Sequence, residues 1–98
     1  MTAQEQVAAA DRLRRALLAF RAAQSLLLQA HRRLKGLPAE DVDAFWLAPG
    51  GRIERHVQTT ATEVVAAFRV FSMAGLIADA EDRHHVTEAQ RHLTESKV

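Results

Sequence analysis

Cysteine and tyrosine are both missing from this chain of 98 residues, and its aromatic side chains are four Phe and one Trp. Without cysteine there is no disulfide to staple a small fold and no thiol chemistry, although export is not excluded by that. Glycine and proline are scarce, at four and two residues, and the span from Ala3 to Leu34 contains neither. The longest purely apolar runs are only a few residues, too short for a membrane span. Residues 1–10 (MTAQEQVAAA) have no basic start and no apolar core, so they do not form a standard signal peptide. The expected location is therefore cytoplasmic, or exported without a classical signal peptide.

About half the residues are apolar and a quarter are charged, the proportions of a folded chain rather than a disordered one. The length fits a single helical domain, or one half of an assembly. Ala, Leu and Val dominate the apolar share. Ala is the best helix former but buries little area, so two Ala-rich helices give a thin core and call for a protein partner, as a homodimer or heterodimer. The formal net charge is +1, yet the halves differ in sign. Arg12, Arg14, Arg15, Arg21, Arg32, Arg33 and Lys35 face only Glu5 and Asp11 in the first thirty-six residues, whereas Asp79, Glu81 and Asp82 lead an acidic remainder. Halves of opposite sign suit antiparallel packing within the chain, or a complementary partner.

Leu13, Leu17, Phe20, Leu27 and Leu34 step by threes and fours, with Gln24 and His31 filling the missing steps and Ala10, Ala16, Leu26 and Leu28 widening the stripe. The pattern predicts a helix over about 3–35, about 45 Å long at the usual rise per residue. Basic residues crowd its last turn and Gly36 suits the position after its end. Pro38, Glu40 and Asp41 open a short helix over about 38–47, with Val42, Phe45 and Trp46 on one face. Pro49, Gly50 and Gly51 then predict the turn, at 48–51, since a helix is not expected to cross them unbroken. Ile53, Val57, Ala61, Val64, Phe68, Phe71, Gly75 and Ala78 predict a second long helix over about 52–80, crossing Thr59, Thr60 and Thr62 in phase. Ala74, Gly75 and Ala78 are small enough to admit another helix. A final segment over about 81–94 carries Val86, Ala89 and Leu93, with a bend expected near His84 to Val86 where Thr87 and Gln90 resemble a capping box. The fold class is thus all-α: an antiparallel helical hairpin with a short helix before the turn, pairing into a four-helix bundle. Leu13, Leu17, Phe20, Leu27, Phe45, Trp46, Val57, Val64, Phe68 and Phe71 are the expected core and interface.

Histidines are the first place to look for chemistry. Glu81, His85, Glu88 and His92 fall at i, i+4, i+7 and i+11 on one helical face, with His84 beside them. Such a face can hold a divalent metal. The spacing is not His-Glu-x-x-His and His31 stands alone on the first helix, so a solvated polar face is the plainer reading and no metal or other cofactor is expected. Ser25, Ser72 and Ser96 lie in no nucleophile motif, and Gly50-Gly51 has no phosphate-loop context. Glu40, Asp41 and Asp43 are explained by the field at a helix start. The residues do not point to an enzyme. Nor is nucleic acid expected as a partner, because Arg14, Arg21 and Arg32 do not form one patch and no exposed aromatic residues accompany them.

Trp46 followed by Gly50 and Gly51, the run Thr60-Ala61-Thr62-Glu63-Val64, and Ala74-Gly75 ahead of Ala78-Asp79-Ala80-Glu81-Asp82 together resemble the WXG100 family of type VII secretion. The resemblance spans nearly the whole chain. It implies two long helices around a central Trp-x-Gly turn, pairing into a four-helix bundle, and a role as an exported partner, effector or escort of larger substrates. Here the glycine follows the tryptophan by four residues. The family's export signal, a tyrosine with an acid four residues later, finds only Ile77 and Glu81 at its spacing. The leading expectation is a non-enzymatic helical interaction protein acting as a dimer or beside a partner. The alternatives are a small regulatory or nucleic-acid-associated protein of antitoxin or adaptor type using the basic first helix, and a metal-binding or enzymatic bundle on the acidic-histidine face.

Overall fold

The computed structural model describes residues 2–95, which form four helices in chain order: α1 (Ala3–Leu34), α2 (Ala39–Leu47), α3 (Pro49–Met73) and α4 (Ala80–Glu95). The all-α class follows from the sequence pattern, and no strand occurs among the described residues. None of the helices is long and apolar enough to cross a membrane.

Each boundary has a local cause. Thr2 caps α1 with a capping box: its hydroxyl accepts the Glu5 N–H at 3.1 Å, and the Glu5 carboxylate accepts the Thr2 N–H at 3.4 Å. The helix stops at Lys35, after which Gly36 takes φ 82°, a left-handed conformation that an L side chain resists. The Leu37 N–H then donates to the Leu34 carbonyl at 3.2 Å, and Pro38 leads into α2.

The predicted turn at Pro49, Gly50 and Gly51 is not there. All three residues form the first turn of α3, and the break between α2 and α3 falls on Ala48 alone, with φ −127° and ψ −88°. Proline's missing N–H costs nothing in a first helical turn, where that donor has no intrahelical acceptor. The reversal of the hairpin is therefore spread over residues 35–38, α2 and Ala48.

The second long helix is also shorter than the expected 52–80. It ends at Met73 in a Schellman motif, where the Gly75 N–H donates to the Ser72 carbonyl at 3.0 Å and the Leu76 N–H to the Phe71 carbonyl at 3.3 Å, with Gly75 at φ 79°. Gly75 is a stop signal rather than a site of helix approach. The chain then doubles back. Asp79 caps α4 by accepting the Asp82 N–H at 2.8 Å, and α4 runs unbroken to Glu95. The bend expected near His84 to Val86 is absent, and the Thr87 hydroxyl donates to the Arg83 carbonyl of its own helix at 2.9 Å.

Cross-helix contacts fix the directions. Arg12 meets Glu63 and Gln6 meets Ala74, so α1 and α3 are antiparallel, and His31 meets Trp46 of α2 near the end of α1. Arg21 meets Glu81 and Gln24 meets Glu88, so α4 runs parallel to α1. The result is a three-helix bundle of α1, α3 and α4 with α2 at one end, measuring 56 × 22 × 20 Å. Its core joins Leu13, Ala16, Leu17, Phe20 and Ala23 to Val57, Ala61, Val64, Ala67 and Phe71, and is closed by Ala78, Val86 and Ala89. Phe20, Leu13, Val57 and Val64 are essentially fully buried, each contributing about 1.5–3 kcal/mol of apolar burial. Leu27 and Phe68 pack against this core while keeping some exposure. Phe45 and Trp46 are half-buried and sit outside it, on α2. Leu26 and Leu28 do not widen the buried stripe; both are exposed.

Candidate functional site

Three groups of residues stand apart from the needs of the core. The first surrounds Trp46. Its ring packs edge-on against Phe45, with centroids 5.1 Å apart, and lies 4.9 Å from the ring of His31 at the end of α1. Both aromatic rings of α2 fold over Gly50, which is buried because they cover it. The Trp-x-x-x-Gly spacing thus serves close packing of the α2–α3 junction.

The second group is charged. Arg12 donates from Nε and Nη2 to the two carboxylate oxygens of Glu63 at 2.9 and 2.8 Å, a bidentate fork bridging α1 and α3. The hydrogen bonds from Arg12 hold the Glu63 carboxyl below its ordinary range, and this outweighs the slight opposing effect of burial. Arg14 and Arg15 both reach Asp11, at 2.8 and 2.9 Å, and lower its pKa through the Arg14 hydrogen bond above all. Arg21 approaches Glu81 at 3.8 Å. Much of the basic character of α1 is therefore matched by carboxylates of this same chain. Arg32, Arg33 and Lys35 make no ion pair among the described residues and remain exposed where α1 ends. Asp82 moves the other way: burial, then the neighbouring Asp79 and Glu81, raise its pKa.

The third group is on α4. Of the four residues picked out by spacing, the structure joins His85 and Glu88 but leaves Glu81 and His92 outside the cluster. Glu81 turns toward Arg21, and His92 lies in an open groove with Gln24, Glu88, Arg91 and Glu95. His84 takes their place. Its Nε2 is 2.9 Å from Glu88 Oε1, and His85 Nδ1 is 3.3 Å from the same oxygen. One ligand atom from each of His84, His85 and Glu88 lies within 4.8 Å of the others. His84, set beside that face in the sequence, stands four residues before Glu88 and so pairs with it along the helix. His84 entered through its Nε2, which reaches forward to Glu88 one turn on.

The main concavities are open grooves along the helix seams. One, between α1 and α4, is lined by Arg14, Leu17, Arg21, Glu81, Asp82 and His85. Large apolar side chains are also exposed at the two ends of the bundle. The Gln6 amide donates to the Ala74 carbonyl at 3.0 Å, which brings Val7 of α1 to the end where Met73 and Ile77 stand open to solvent; Leu37 and Leu47 are exposed at the opposite end. Comparison of the chain with protein-family models, with curated proteins and with solved structures gives no match in any of the three.

Proposed function

We propose that this chain is a non-enzymatic helical interaction protein that acts as a dimer or beside a partner subunit. The observation that carries the proposal is the apolar end formed by Val7, Met73 and Ile77, which are 70, 74 and 89% exposed. Large apolar side chains this exposed at the same end of a bundle are the kind that a partner would bury, which supports the reading. The non-enzymatic part is supported by the open form of the grooves among the described residues 2–95. In its finer form the proposal follows the WXG100 resemblance: the partner is a component or substrate of type VII secretion, and the chain is secreted with it or escorts it. The antiparallel α1–α3 hairpin agrees with that form. The folded-back α4 is an addition to it.

The test is the mass of the chain in solution by sedimentation, over a rising concentration series and again after co-expression with the product of its neighbouring gene. A dimer or a stable complex is expected, and it should be lost in the double substitution Met73→Glu and Ile77→Glu while circular dichroism stays unchanged. A monomer in both arms overturns the proposal.

A further inference from the structure

We infer that His84, His85 and Glu88 form a binding site for a divalent cation of the zinc type. The three side chains occupy positions i, i+1 and i+4 of α4, and their ligand atoms already converge on Glu88 Oε1, at 2.9 Å from His84 and 3.3 Å from His85. Zinc binds imidazole nitrogen and carboxylate oxygen at about 2.0–2.2 Å, so ligand atoms around one tetrahedral ion stand roughly 3.4 Å apart. All three atoms lie within 4.8 Å of one another, near the spacing that three ligands of one ion require.

A second observation comes from His85. Its side chain is only 16% exposed, and its Nδ1 is buried with no hydrogen-bond partner. The approach to Glu88 is close, but the alignment is not that of a hydrogen bond. A buried polar atom in that state is costly and rare in folded chains. A cation seated between Nδ1 and the carboxylate removes the cost, because Nδ1 in its unprotonated form then has a partner as a ligand. Gln24 of α1 completes the arrangement by donating to Glu88 Oε2 at 3.3 Å, which fixes the carboxylate and leaves Oε1 toward the histidines. His84 is largely exposed and supplies the entry path. Two imidazoles and one carboxylate select zinc, cobalt, nickel or copper over magnesium and calcium. Three protein ligands leave a coordination position for water or for an incoming group.

The test is calorimetric titration of tag-free protein, stripped with chelator, against zinc chloride, followed by the visible spectrum of cobalt(II) as a report on coordination. One zinc per chain is expected, undisturbed by excess magnesium. His84→Ala, His85→Ala and Glu88→Gln should each weaken binding by more than tenfold, and Gln24→Ala by about tenfold, the lower end for a residue that only orients a ligand. His92→Ala, on the same helix but outside the cluster, should bind zinc as the parent does. Because His84 is exposed, its substitution leaves the fold intact and keeps the test meaningful if His85→Ala loses helicity. Absence of zinc uptake by the parent overturns the inference. So does uptake undiminished in His84→Ala and Glu88→Gln, or uptake abolished by His92→Ala.

Discussion

A methyl group placed on Gly50 would press into Trp46 Cε3 and come within 2.7 Å of Phe45 Cε1. On helix propensity alone, alanine should be the better residue there by about 0.5–1 kcal/mol, since Gly50 lies in α3 and its φ is not left-handed. Overpacking costs about 1–3 kcal/mol where a close-packed neighbour must shift. The second effect is the larger, so Gly50→Ala should lower the denaturant midpoint by an amount corresponding to roughly 1–2 kcal/mol and alter the emission of Trp46. A raised midpoint would show that the rings give way freely. The sequence marks this place by its Pro-Gly-Gly run, and that mark was legible. Its cause was not, because two glycines read equally well as a turn or as room for a ring one helical turn earlier. The deciding fact is the path of the Trp46 side chain.

Helix boundaries show where a periodic pattern informs and where it misleads. The end of α1 was legible because Gly36 and a basic last turn follow an apolar stripe that stops there. The end of α3 was not, because Gly75 and Ala78 keep the three-four step going past Met73. Ala78 does reach the core, from the connection rather than from a helix. Asp79 as the cap of α4 was missed for the same reason, hidden inside a helix expected to run to residue 80. The role of Gly75 differs in kind from that of Gly50. Nothing lies within 4 Å of a Cβ built on Gly75, but its φ is 79°, so the cost of a side chain is conformational, about 1–2 kcal/mol for a left-handed L residue. Gly75→Ala should therefore lower the thermal midpoint, whereas Gly75→Asn should lower it less, because asparagine tolerates this region. Equal midpoints for parent and both variants would show that the chain does not reverse through a left-handed residue at this point.

For the molecule as a whole, the opposite charge of its two halves suited antiparallel packing within the chain or a complementary partner. Arg12–Glu63 does join the antiparallel pair α1 and α3, whereas Arg21–Glu81 joins α1 to the parallel α4. The thin two-helix core called for cover as well. The structure supplies part of it from within: α4 lays Val86 and Ala89 into the core between α1 and α3, with Leu93 packed against it. Binary pattern could not distinguish this cover from a second chain, since both present the same apolar stripe to the same seam. Removing α4 turns the question into an experiment. A chain ending at Ala78 keeps the α1 and α3 members of the core but loses α4, with Val86 and Ala89. The burial lost is that of Val86 and Ala89, part of that of Leu93, and the α1 and α3 surface they cover. One fully buried Val alone is worth about 1.5–3 kcal/mol, against a total stability of only about 5–15 kcal/mol for a domain. The shortened chain should therefore either unfold or self-associate, pairing two hairpins so that each covers the other. Sedimentation and circular dichroism together separate these outcomes from the third, a folded monomer with the parent's thermal midpoint. That third result would mean that the α1–α3 hairpin stands without cover, and that the exposed apolar end at Val7, Met73 and Ile77 need not be a contact surface either.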